Sequence, residues 1–187
     1  MSICTIASVA RVLCVSASLA TAGAWAATDV LDPQGNAMAP VAEALPLDPE
    51  STTRLGLYAT PAQAHRAQLG QGARVLLVDV RSAAERRRSG VTTATGLWLP
   101  LLPDTSAESG LPFVAAVEAA LQALPRGRAT AIFVVCGNGR TAAAAVDVLA
   151  GAGYRNVILV TGGLAGEVED GRPGWLAAGL PVRRIGL

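Results

Sequence analysis

The sequence predicts an α/β domain in which a parallel sheet is covered by helices on both faces. Three observations carry that reading. Two runs, Val75–Val80 and Ala131–Val135, are almost continuously apolar and rich in β-branched residues, as strands buried on both faces must be. Each is followed by a segment with helix-start or helix-stop signals. Strand-like and helix-like segments then alternate over about 130 residues, with no internal repeat and no second composition zone.

Taken in order, the chain opens with a segment that reads as a secretory signal over residues 1–26. Met1–Arg11 supplies a weakly positive start, Val12–Ala22 a short apolar stretch, and Ala24-Trp25-Ala26 an A-x-A cleavage pattern. The apolar stretch is too short to span a bilayer. Cys14 follows Leu13, where a lipid-anchored chain needs a small residue, and Cys4 lies too early. The expectation is an exported protein, periplasmic or secreted, beginning near Ala27. Loss of Cys4 and Cys14 with the signal leaves Cys136 as the only thiol, so no disulfide forms within the mature chain.

Residues 27–53 hold Asp32-Pro33, Ala39-Pro40, Leu45-Pro46 and Asp48-Pro49 without sustained periodicity, and read as an extended or partly disordered lead-in. The domain proper spans residues 54–187. Leu55–Tyr58 is a short strand, and Thr60-Pro61-Ala62-Gln63 has the form of a capping box with proline at the first helical position. The helix it opens runs to about Leu69. After the Val75–Val80 strand, Ser82 and Glu85 form a second capping box ahead of Arg86, Arg87 and Arg88, whose charges read as a solvated helix face.

Gly96–Pro100 reads as a further strand and Leu101–Gly110 as a loop. Phe113, Val114, Val117, Leu121 and Leu124 recur at helical spacing. After the second apolar strand comes Cys136-Gly137-Asn138-Gly139-Arg140-Thr141, and then an alanine-rich helix stopped at Gly151. Asn156–Val160 is the last strand of the alternation. Leu164–Leu180 is expected to hold short helical pieces around Gly171, Pro173, Gly174 and Trp175.

The chain has 187 residues, 51% of them hydrophobic, and a formal charge of +1 from 15 basic and 14 acidic residues. That balance points to neither nucleic acid nor a membrane surface as partner. Every basic residue other than His65 is arginine, which excludes a lysine Schiff base or a lysine general base. His65 lies in an early helix and reads as a surface residue. Trp98 and Trp175 read as packing residues. Nothing in the sequence demands more than a monomer.

The chemistry concentrates at Cys136. In open parallel sheets ligands sit beyond the carboxyl ends of the strands, and Cys136 ends its own strand. A turn with glycines at Gly137 and Gly139 can curl its N–H groups toward the sulfur, and the helix N-terminus adds to them. Such a thiol is expected to ionise readily. Arg140 adds a planar cation suited to an oxyanion. Asp79 and Arg81, at the end of the neighbouring strand, are expected to pair structurally and to support the loop or the Glu85 helix.

Four segments together resemble the rhodanese (thiosulfate sulfurtransferase) family in its single-domain periplasmic type. They are Leu77-Val78-Asp79-Val80-Arg81 with Glu85, the loop Cys136–Thr141, Val160-Thr161-Gly162-Gly163, and Trp175 with Ala178–Val182. The resemblance covers Leu55 to about Val182. It departs from the family's commonest pattern in having arginine fifth in the loop, with Thr141 sixth, and Ser89-Gly90-Val91-Thr92 where a Gly-His pair is frequent.

The resemblance implies a central five-stranded parallel sheet and a two-step cycle that needs neither metal nor organic cofactor. Cys136 thiolate attacks the outer sulfur of thiosulfate or another sulfane-sulfur donor, sulfite leaves, and the resulting persulfide passes its sulfur to cyanide in an assay or to a thiol or thiol protein in the cell. Arg140 would bind the anion, while Gly137, Asn138, Gly139 and Thr141 would cradle the sulfur. Two other readings stand beside it. One is a sulfur carrier or rhodanese-shaped binding module without turnover. The other is a cysteine phosphatase or arsenate reductase, disfavoured because only three residues separate Cys136 from Arg140, too few to ring a tetrahedral oxyanion.

Overall fold

Alternating strands and helices build a five-stranded, all-parallel sheet, as the pattern predicts. The computed structural model describes residues 29–46, 48–93, 96–101, 107–166 and 172–185, with backbone alone for 107–110. The expected signal segment lies outside the described residues. The strands are β1 (Tyr58–Ala59), β2 (Val75–Asp79), β4 (Leu97–Trp98), β5 (Ala131–Val135) and β6 (Val157–Val160), in spatial order β1-β6-β5-β2-β4. The two long apolar runs, β2 and β5, lie side by side in the middle, paired from Val75↔Ala131 to Asp79↔Val135. Every residue of both is buried.

Alternation of side chains about β2, β5 and β6 divides the core in two. One face, with Val78, Ile132, Val134, Val157 and Leu159, is covered by α3 (Ala107–Gln122) and α4 (Arg140–Gly151) through Phe113, Val117, Leu121, Val146 and Leu149. On the other, Val75, Leu77, Phe133, Ile158 and Val160 meet Ala64 of α1 (Pro61–Gln71), Leu164 and Trp175. Each such buried aliphatic or aromatic side chain contributes roughly 1.5–3 kcal/mol.

Both capping boxes form. The Thr60 hydroxyl accepts from Gln63 N and Gln63 returns the bond at the head of α1; Ser82 and Glu85 do the same for α2 (Ala83–Ser89).

Three local expectations are corrected. The α3 helix begins at Ala107, inside the stretch read as a loop, and carries Pro112 within it. The residues ahead of Phe113 are mostly small or polar and carry no apolar periodicity, so the pattern shows the helix only from Phe113. Where helical pieces were expected after β6, the described residues 164–166 and 172–180 form turns instead, with Gly166 and Gly179 at positive φ; Gly171 lies outside the described residues. A small antiparallel ladder, β3 (Val91–Thr92) with β7 (Val182–Arg183), was not foreseen, its strands being two residues long and 91 positions apart.

Residues 29–46 and 48–53 form a belt on the domain. Val30 and Leu31 enter the core on the α1 face, whereas Ala44 is buried on the α3/α4 face. Between them, Asn156 donates to Gly35 O and accepts from Ala37 N, and Arg126 donates to Gly35 O. The belt ends in a single 3-10 turn, Pro49–Ser51, capped by Asp48 and packed on α4.

Candidate active site

Cys136 follows β5 at the carboxyl edge of the sheet, where Val80 N donates to Val135 O and holds the two central strand ends level. The loop then turns directly into α4. Gly139, at φ +113°, is the helix N-cap, and its N–H points at the Cys136 sulfur at 3.0 Å. Amides of Ala142, Gly139, Asn138 and Thr141 all act on the same sulfur. Ala142 extends the set expected from sequence, whereas Gly137 instead turns its carbonyl to the N–H of Ala165.

The free cysteine is buried, only 2% exposed, and that reverses one expectation. Burial pushes the Cys136 thiol up, and the four amides offset this only in part. The thiol is therefore largely protonated at neutral pH. Its thiolate fraction, and with it the rate of any attack by sulfur, should rise roughly tenfold per pH unit from about pH 6 to pH 8. A pH series of single-turnover alkylation rates with iodoacetamide measures this directly; a rate already level across that range would mean a depressed pKa.

The turn after β6 clamps the cysteine loop from outside. Leu164 N donates to Cys136 O at 2.9 Å and Ala165 N to Gly137 O at 2.8 Å. So close an approach leaves no room for a side chain at Gly163, where a Cβ would meet Cys136 O at 2.4 Å, with φ at +52°. Gly163→Ala should cost about 2–4 kcal/mol in urea unfolding, since only backbone can give way. Gly151→Ala, facing open space at the end of α4, is the tolerated control.

Asp79 and Arg81 form a buried clamp, and its hydrogen bonds go to α2 and its flank. Asp79 accepts from Arg81 Nε at 2.9 Å and Nη2 at 2.7 Å; Arg81 also donates to Ser89 Oγ and Gly90 O. Arg86 Nε adds an ion pair to Asp79 at 3.3 Å. The clamp reaches the cysteine loop through α2, whose Glu85 carboxylate lies 3.2 Å from where a Cβ on Gly137 would stand. Hydrogen bonds from Ser82, with the charges of Arg81 and Arg88, hold the Glu85 carboxyl below the usual carboxylate range.

Arg140 sits where sequence places it, but its Nε is engaged by the belt: Asp48 Oδ2 at 2.5 Å and Glu50 Oε2 at 3.3 Å. The hydrogen bond from Arg140 holds the Asp48 carboxyl below its ordinary range. Beside them Ser51, fully buried, puts its hydroxyl 3.0 Å from a Cβ built on Gly139. No pattern in the sequence links Asp48 to a residue 92 positions away, so these belt residues were missed. The Asp48-Pro49 pair, which caps the Pro49–Ser51 turn, is the one local signal.

Two further expectations, for Trp98 and His65, are adjusted. Trp98 is 41% exposed, with the Arg86 guanidinium 4.3 Å over its ring, so it belongs to the surface above the clamp rather than to the core. His65 is half-buried and meets the fully buried Trp175 edge-on at 5.7 Å, on the sheet face opposite the core cluster that holds Cys136. Among the described residues, no group of three or more His, Cys, Asp or Glu side chains is placed to hold a metal ion.

The family model described as Rhodanese-like domain matches residues 60–169. The chain belongs to the rhodanese-like domain family. Its match spans β2, the cysteine loop and the clamping turn, and leaves the belt outside. Among solved rhodanese-like and other structures, Rv0390 from M. tuberculosis is 28% identical, with a TM-score of 0.50 over 67% of this chain and 96% of that one. The Alr3790 protein from Anabaena sp. is 22% identical at a TM-score of 0.48, covering 66% and 80%. A rhodanese-related protein from Thermoplasma volcanium is 20% identical at 0.44, covering 69% and 99%. No curated protein matches the chain.

Proposed function

We propose that this rhodanese-like chain is an exported sulfurtransferase that carries a sulfane sulfur as a persulfide on Cys136. The observation that carries the proposal is the convergence of loop amides, led by Gly139 N at 3.0 Å, on a buried sulfur. Fixed amide donors in a water-poor site stabilise negative charge as it develops, at no reorganisation cost. They suit a thiolate attacking sulfur and, afterwards, the terminal anionic sulfur of a persulfide.

In the first half-reaction Cys136 thiolate attacks the outer sulfur of the donor. A new S–S bond forms, the donor's S–S bond breaks, and its electron pair leaves on sulfite or on a thiolate. In the second, a thiophilic acceptor attacks the terminal sulfur and the electron pair returns to Cys136. Thiosulfate or a thiol persulfide would serve as donor, and a small thiol or thiol protein as acceptor. The N-terminal A-x-A pattern supports export to the periplasm or beyond.

Steady-state assay with thiosulfate and cyanide tests the reading. Parallel double-reciprocal lines, the mark of a ping-pong cycle, are expected. Faster turnover of an aryl phosphate than of thiosulfate would overturn it in favour of a phosphatase. A single stoichiometric transfer without turnover would point to a carrier.

A further inference from the structure

The belt places two carboxylates on the arginine that borders the cysteine loop. Asp48 accepts from Arg140 Nε at 2.5 Å and Glu50 stands at 3.3 Å, while Glu85 flanks the loop near Gly137. Ser51 wedges the same turn against Gly139, the residue whose amide holds the sulfur. At Arg140, one cation therefore faces two carboxylates from the belt. Of the other arginines beside the belt, Arg54 is paired with Asp147 at 3.7 Å and Arg172 donates to the backbone carbonyl of Glu43. On the Glu85 side, Arg81 and Arg88 share in balancing the carboxylate.

A dianion approaching Cys136 would have to displace Asp48 from Arg140 and meet Glu50 as well. A donor bearing an ammonium group would instead find two carboxylates to pair with. From this arrangement we infer that Asp48 and Glu50 determine donor specificity, selecting against dianionic thiosulfate and for persulfides of amine-bearing thiols. The inference rests on the sulfurtransferase reading and deepens it. With such a donor, Cys136 thiolate takes the terminal sulfur of R–S–SH, the donor's S–S bond breaks, and its electron pair and proton leave as R–SH.

The belt also offers a reason for the exposure pattern at the mouth. Arg140 and Glu50 are 50% and 70% exposed, so their charges act through solvent and salt should screen them. Asp48 is less exposed, at 19%, and is tied locally by the N–H of Glu50. Asparagine at position 48 keeps an oxygen for that capping bond while removing the charge.

Second-order rate constants for loading Cys136 test the inference, read by intact mass in wild type, Asp48→Asn/Glu50→Gln and Glu50→Gln alone. Thiosulfate and cysteamine persulfide are the two probes. Their intrinsic reactivities differ, so the readout is the ratio of the two constants. That ratio, thiosulfate over persulfide, should rise about tenfold or more in the double variant at low ionic strength, less in Glu50→Gln, and the gain should shrink at high salt. A ratio that stays level or falls, with both donors still loading Cys136, overturns the specificity inference and leaves the sulfurtransferase reading in place. Failure of both donors to load the wild type overturns the sulfurtransferase reading and the specificity inference together, and loading by thiosulfate but not by the persulfide overturns the specificity inference alone. Glu50→Gln, changed only at an exposed side chain, keeps the test open should the double variant fold poorly.

Discussion

Serine at Cys136 is expected to reduce sulfur transfer by at least about a thousandfold while leaving the fold intact. The two side chains are nearly isosteric, and a serine oxygen can accept the Gly139 N–H that now reaches the sulfur at 3.0 Å. What disappears is the chemistry. A hydroxyl so far from ionisation is a poor nucleophile toward sulfur, and it forms no persulfide. Amides and the helix N-terminus would still favour anion binding, so binding of sulfite or thiosulfate should survive where turnover does not. Turnover assays beside near-ultraviolet circular dichroism separate the two effects. Retention of even a tenth of wild-type turnover would place the transferable sulfur elsewhere.

The largest effect on stability is expected at the clamp. Asp79 is fully buried, carries two hydrogen bonds from the Arg81 side chain and one from its backbone N–H at 3.1 Å, and lies against Arg86. Asp79→Ala would leave the Arg81 guanidinium, 1% exposed, without its counter-ion. Breaking a buried pair from one side costs about 3–5 kcal/mol, because the surviving charge keeps its desolvation penalty. Surface pairs are worth far less, a fraction of a kcal/mol at Arg128–Glu118, where both partners are about half exposed. The unfolding free energy from urea titration should therefore fall by several kcal/mol in Asp79→Ala and hardly change in Glu118→Ala. Equal losses in the two variants would contradict the assignment of Asp79 as the anchor of α2.

How much of this was legible depended on whether the signal was local. Capping boxes at Thr60 and Ser82, the apolar strands β2 and β5, and the cysteine turn are written within a few residues, and each appears where the pattern puts it. Gly166 and Gly179, at positive φ, give turns where helical pieces were expected, and only the close approach of Gly163 to Cys136 shows why glycine is needed at that position. The belt was the least readable part. Its contacts with Asn156, Arg126 and Arg140 span 90 residues or more and depend on the finished fold. A raised thiol pKa was likewise hidden, because sequence shows the donors around Cys136 but not the burial that opposes them.

The central claim is that Cys136 accepts and holds a sulfane sulfur. It is tested most directly by intact-protein mass spectrometry of the wild type and Cys136→Ser after incubation with a sulfane-sulfur donor at pH 8 and removal of excess reagent. The wild type should gain the mass of one sulfur atom, localised to the peptide containing Cys136 and released on adding cyanide, and the serine variant should gain nothing. An unmodified wild type, or an equal gain in both proteins, would contradict the account.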